Sequence, residues 1–307
     1  MKNHILTKNH ILTSAFFLAC IAAVTPSNAD TLLFSTGSPD GKMAVATRPE
    51  SAGKFEIEAG DDFIFSNTTQ INSATFTGLL PTGSNLNNVS DVVVEIYRVF
   101  PNDSNVARTS GPPTFSTPQV PTRVNSPSDV AFASRDSAAA NQLTFSASVL
   151  ASSFMAANSV QPGGIHPIPG QTTGGNGQVT GQEVTFSVVF TTPFVLPADH
   201  YFFVPQVGLN DGNFLWLSAP RPITGGTGPF VGDLQAWTRD QMLDPDWLRV
   251  GADIVGPNPA TAPTFNLAFS LTGVSGVPEP STWAMMLVGF LGLGLAFRQS
   301  RRRVSFS

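Results

Sequence analysis

Seven acidic residues fall in two tight groups, Glu56, Glu58, Asp61 and Asp62 in one and Asp240, Asp244 and Asp246 in the other. Glycoside hydrolysis needs two facing carboxyls about 5 to 9.5 Å apart. Residues two apart on a strand share a face, so Glu56 and Glu58 project together. That geometry suits a site, and it is equally the solvent face of an antiparallel sheet, which is the simpler reading. His166 sits in a Pro/Gly loop and His200 opens an apolar run, so no histidine pair has metal or catalytic spacing. There is no G-x-S-x-G elbow and no helical S-x-x-K. No catalytic residue is assigned, and the chain is read as non-enzymatic.

Two further sets invite binding. "NDGN" at 210–213 and "LDPDW" at 243–247 group oxygen donors as calcium requires, with Asp211, Asp244 and Asp246 as the candidate ligands. The same residues are ordinary turn formers, and neither run has the length of an EF-hand loop. Trp216, Trp237 and Trp247 lie close together beside Arg221, Arg239 and Arg249. Sugar-binding sandwiches stack pyranose faces on exposed tryptophan, which makes these three the candidate glycan contacts. The alternative is that they pack the end of a sandwich while the arginines pair Asp240, Asp244 and Asp246.

The elements that must position these residues read as strands. "KFEIEA", "DDFIFS", "SATFTGLL", "VVVEIYRVF", "QLTFSASVL", "EVTFSVVF", "HYFFVPQV", "NFLWLS" and "TFNLAFSL" are short runs rich in Val, Ile, Phe and Thr, mostly alternating with period two. Long Pro/Gly/Ser/Thr connections at residues 101–129, 161–182 and 220–232 suit crossings between sheets. The expectation is an all-β, two-sheet β-sandwich, jelly-roll-like, of roughly nine to twelve strands, with most of the 24 phenylalanines between the sheets. One short helix is expected at "DLQAWTR", with Asp233 as its N-cap.

Both ends differ from this body. Lys2 and Lys8, an apolar run over residues 11–24 and Ser27-Asn28-Ala29 make a secretory signal with cleavage after Ala29. Phe17 and Leu18 are too bulky to precede a lipidated Cys20. "KNHILT" is repeated at 2–7 and 8–13, inside the segment that is removed. At the other end come Pro278-Glu279-Pro280, an apolar run over residues 283–297 and Arg298, Arg301, Arg302 and Arg303. About 15 helical residues cover roughly 22 Å, a marginal span for a bilayer of about 30 Å. A core helix has no reason to be apolar all round and then stop at four arginines, and the positive-inside rule keeps those arginines cytoplasmic.

Excluding Lys2, Lys8 and the four tail arginines from 16 basic residues leaves 10. Excluding Glu279 from 21 acidic ones leaves 20, so residues 30–276 carry about −10. Nucleic acid is excluded as a partner, because it needs clustered Lys and Arg. Cys20 is the one cysteine, so a body without its signal has no disulfide.

The Val-Pro-Glu-Pro-Ser-Thr-Trp run, the glycine-containing apolar segment and the arginine cluster resemble the PEP-CTERM sorting signal of Gram-negative bacteria. That resemblance implies an exosortase-type sorting enzyme as partner, transient anchoring in the inner membrane and cleavage near Pro278 to Pro280. It implies an exported product of the envelope or extracellular matrix, in a setting associated with extracellular polysaccharide. "FLWLSAPRPI", "DLQAWTRD", "DPDWLRVGADIVG" and "PTFNLAFSLTG" resemble a body that recurs among such proteins without an assigned activity. The organisation expected is a signal peptide at 1–29 with a signal helix, a β-sandwich at 30–276 and a sorting signal with a transmembrane helix at 277–303. A glycan-active hydrolase or lyase, or a carbohydrate-binding module, is the alternative from another class.

Overall fold

The computed structural model describes residues 29–51, 53–104, 125–165, 172–220, 233–241, 247–256, 262–276 and 286–294. The signal segment 1–28, His166, Arg221, Asp244 and Asp246 lie outside them, as do Pro278, Glu279, Pro280, Arg298, Arg301, Arg302 and Arg303. The chain is all-β with two sheets, as its period-two runs imply. Among the described residues fifteen strands occur in order: β1 Thr31–Ser35, β2 Met43–Ala46, β3 Ile57–Phe65, β4 Thr69–Pro81, β5 Val89–Arg98, β6 Ala133–Asp136, β7 Leu143–Ala156, β8 Asn158–Val160, β9 Val179–Leu196, β10 Asp199–Leu209, β11 Leu215–Ala219, β12 Trp237–Asp240, β13 Leu248–Arg249, β14 Asn266–Leu267 and β15 Phe269–Ser275.

The larger sheet runs β1-β15-β4-β11-β2-β8, with β14 on β11, and β9 followed by β7 on the other edge of β4. The smaller runs β13-β12-β3-β10-β5-β6. Pairing is antiparallel except between β2 and β8. Between the sheets lies a phenylalanine-rich core. Phe76 stacks on Phe186 at 5.1 Å, Phe203 on Phe269 at 5.0 Å, and Trp216 meets both Phe203 and Phe269 edge-on. Each such side chain contributes roughly 1.5–3 kcal/mol through burial, so the aromatic alternation holds the two sheets together without any disulfide.

Three sequence expectations are corrected. "KFEIEA" and "DDFIFS" are one strand, β3, because Asp61 occupies an inward position between Ala59 and Phe63 without breaking the ladder. "DLQAWTR" is not a helix. Residues 237–240 lie in register on β3, with Trp237 opposite Gly60 and Arg239 opposite Glu58, and period two turns both outward. Asp233 accepts from Asn266 Nδ2 at 2.9 Å instead of capping a helix. Finally, the described residues hold fifteen strands and not nine to twelve, because β2, β6 and β8 are only three or four residues long; β10 tolerates Pro205 because its ladder with β3 ends at Phe203.

β4 is crossed closely by β11 at Gly78. A Cβ there would lie 2.3 Å from the Phe214 ring and 2.5 Å from the Leu215 carbonyl, so only glycine admits this approach.

Candidate functional site

The outer face of the smaller sheet carries a second, smaller core. Outward positions give Glu58 and Asp62 from β3, Glu95 and Tyr97 from β5, Phe202, Val204 and Gln206 from β10, and Trp237 and Arg239 from β12. Tyr97, Phe202, Val204, Leu234, Trp237 and Trp247 pack together there. Residues 125–132 run beside the end of β5, held by Ser128 N donating to Arg98 O at 2.9 Å and Phe132 N to Ile96 O at 2.7 Å. They form a rim over that face, and Trp247 Nε1 donates to Ser128 O at 3.0 Å.

Under this cover, acidic side chains converge. Glu56, Glu58 and Glu95 each offer an oxygen, and these atoms all lie within 4.8 Å of one another. Glu58 is buried, whereas Glu56 and Glu95 are half-buried. The Arg239 guanidinium pairs Glu58 through Nε and donates from Nη2 to the Tyr97 hydroxyl at 3.0 Å. It lies 4.6 Å from the centre of the Trp247 ring, a cation–π contact. Tyr97 donates to Glu58 Oε1 at 2.5 Å and lies 3.0 Å from Glu95 Oε2, so one hydroxyl proton serves two carboxyls. Gln206 Nε2 donates to Glu56 Oε1 at 2.9 Å.

The electrostatics follow from burial. Desolvation, the neighbouring Glu58 with its hydrogen bond, and Glu56 push the Glu95 carboxyl up to about 8. Burial and Glu58 also raise Glu56, against the opposing effects of Gln206 and Arg239. Burial first, then Glu58, raises the Tyr97 hydroxyl well above its ordinary range.

A second buried set lies nearby. His200 Nε2 is 2.6 Å from Asp62 Oδ2, and Leu234 N donates to Asp62 Oδ1 at 2.9 Å. Asp61 points between the sheets and accepts from Leu267 N at 2.7 Å. Burial and the adjacent Asp62 raise its carboxyl well above the carboxylate range. His200 is therefore a buried partner of Asp62.

The tryptophans are placed as packing residues. Trp216 is fully buried between the sheets and donates to Ala268 O at 2.9 Å, while Trp237 and Trp247 are 1% exposed in the outer core. None presents a ring face to solvent, so the stacking surface expected of Trp216, Trp237 and Trp247 is absent from this structure. Arg239 pairs Glu58, and Arg249 makes a two-point pair with Asp253 at 2.6 and 3.0 Å. At the "NDGN" loop Asp211 is exposed, Lys54 Nζ donates to the Leu209 and Gly212 carbonyls at 2.9 Å each, and Arg48 donates to Asn213 Oδ1.

At the chain ends, Ala29 is exposed two residues before β1, open to a peptidase. β15 ends at Ser275 and Gly276 follows with φ of +78°. Residues 286–294 are helical and exposed, with Leu287, Phe290 and Leu291 at 65–67% exposure. An apolar helix that packs on none of the sandwich rules out a buried core helix for these residues and leaves an apolar surface to be covered from outside. Among the described residues no helix is long and apolar enough to cross a membrane.

Residues 276–303 match the PEP-CTERM protein-sorting motif. The motif therefore begins where the last strand ends. It marks the chain for export and for processing at the membrane by an exosortase-type enzyme, with transient anchoring through the C-terminus. It covers less than a tenth of the sequence and describes its sorting rather than the chemistry of the sandwich. No match was found among curated proteins or among solved structures.

Glu56 and Glu58 were legible as a same-face pair. Glu95 and Tyr97, two apart in "VVVEIYRVF", carry the same signal, but only the order β12-β3-β10-β5 brings the two pairs together with Gln206 and Arg239.

Proposed function

We propose that the mature protein is a non-catalytic β-sandwich of the cell envelope or extracellular matrix, delivered there as the product of C-terminal sorting and associated with exopolysaccharide. The observation that carries this reading is the sorting motif beginning where β15 ends, followed by an apolar helix that packs on nothing in the sandwich. The non-catalytic role is supported by the state of Glu58. Its two oxygens each accept one hydrogen bond, from Arg239 and from Tyr97, and Trp247 lies against both of those groups, so a sugar ring reaching Glu58 has to displace three side chains, although each oxygen keeps a lone pair. The polysaccharide association rests on the setting that the sorting signal implies.

One observation favours a glycan-active hydrolase or lyase. Three carboxyls sit within 4.8 Å and Glu95 keeps its proton near neutral pH, a combination of acid and base that suits glycosidic chemistry. Incubating the secreted protein with matrix polysaccharide from its own host separates the readings. Co-sedimentation without new reducing ends supports the structural role. Reducing ends released by the native chain but not by Glu58→Gln support the enzyme. Neither co-sedimentation nor new reducing ends with the native chain overturns the polysaccharide association.

A further inference from the structure

We propose that Glu56, Glu58 and Glu95, with the side-chain oxygen of Gln206, form a calcium site on the outer face of the smaller sheet. The inference does not depend on any polysaccharide contact, and none of these residues belongs to the Asp211, Asp244 and Asp246 set.

Charge gives the first argument. Among the described residues, three carboxylates face the guanidinium of Arg239, which leaves a formal excess of two negative charges when all are ionised. Burying uncompensated charge is costly, so the group is completed either by protons or by a dication. The second argument is independent of the acids. Gln206 is fully buried, its amide nitrogen is bound to Glu56, and its Oε1 has no hydrogen-bond partner. A buried amide oxygen without a donor is rare in a folded protein. Here it belongs to an amide that already reaches the carboxylates, and a bound cation satisfies it.

The donor set selects the ion. All the ligands are oxygens, which suit hard cations. The carboxylate oxygens lie within 4.8 Å of one another, close enough to share one ion, and magnesium's demand for near-ideal octahedral geometry and retained waters disfavours it among several protein ligands. Calcium's tolerance of irregular geometry also fits ligands drawn from β5, β10 and the start of β3. Glu56 and Glu95 are half-buried, which leaves the ion a path from solvent and room for water ligands.

Terbium, which replaces calcium at oxygen sites, gives a local readout. Trp247 packs edge-on against Tyr97 at 5.4 Å, and the Tyr97 hydroxyl touches two of the three carboxyls, so an ion bound there is next to two aromatic sensitisers. The full chain in detergent, stripped with EDTA, is titrated with Tb³⁺ under tryptophan excitation and then competed with Ca²⁺ or Mg²⁺. The expected result is sensitised emission that Ca²⁺ displaces far better than Mg²⁺. Glu56→Gln should weaken binding about tenfold or more in Kd, and Glu56→Gln/Glu95→Gln should abolish it while the far-ultraviolet β signal is kept. Glu56 is half-buried, so the single variant decides the matter if the double variant does not fold. No emission from the native chain, or emission that survives Glu56→Gln undiminished, overturns the proposal, the latter by assigning the ion to another loop.

Discussion

Arg239 compensates a buried carboxylate, shares the Tyr97 hydroxyl and lies against Trp247, so its removal leaves Glu58 charged and enclosed. Breaking one partner of a buried pair costs about 3–5 kcal/mol. Arg239→Met should therefore lower the unfolding free energy from urea denaturation by that much, and Arg239→Lys should recover only part of it, because an ammonium cannot reproduce the planar fork. A loss below about 1 kcal/mol for Arg239→Met contradicts the account of this cluster. Asp61 makes a different prediction. Its folded-state carboxyl is raised, so the native protein keeps a proton that the unfolded chain releases above about pH 4. Its contribution to stability is therefore full below that pH and declines as pH rises toward neutrality. Asp61→Asn keeps an acceptor for Leu267 N and should flatten the fall of Tm between acid and mildly alkaline pH, with its largest gain over the native chain at the alkaline end. At this scale the sequence showed that Glu56 and Glu58 share a face and that the tryptophans could be packing residues. It did not show Gln206 or Glu95 as their neighbours, because contacts across a sheet depend on strand order.

Strand runs were legible wherever period two was unbroken, as in β4, β5, β9 and β10. The misreadings share a physical cause. β12 is four residues long, and its identity is fixed by pairing with β3, not by the helical propensity of "DLQAWTR". β2, β6 and β8 are three or four residues each, too short for any period to register, and they exist because longer neighbours offer them an edge. The same closeness of elements makes Gly78 sensitive. Gly78→Ala forces the Phe214 ring or the Leu215 backbone to move, and overpacking of this kind costs about 1–3 kcal/mol. Calorimetry should show a clear fall in Tm, whereas Gly163→Ala, with open space around it and no positive φ, should change stability by about 1 kcal/mol or less. Equal effects at the two positions contradict the close packing of β4 on β11.

For the whole molecule, an acidic sandwich lies between two apolar segments that the sequence marks for removal. The sorting tail was the most legible feature of the sequence because its information is linear: a Pro-Glu-Pro turn, an apolar run and an arginine stop need no long-range contacts to be recognised. Glu279→Ala should leave folding and export intact while precursor accumulates in the inner membrane, as judged by immunoblotting of membrane and external fractions. Processing at the native rate instead reduces the Pro-Glu-Pro stretch to a linker. The central claim is that the working protein is the sandwich released from both ends, and intact-mass analysis of the chain recovered from its native envelope tests it most directly. The account predicts a product that begins at Asp30 and lacks the apolar helix of residues 286–294, ending near Pro278 to Pro280. A mature protein that retains residues 286–303, or the full chain at 32.4 kDa, contradicts it.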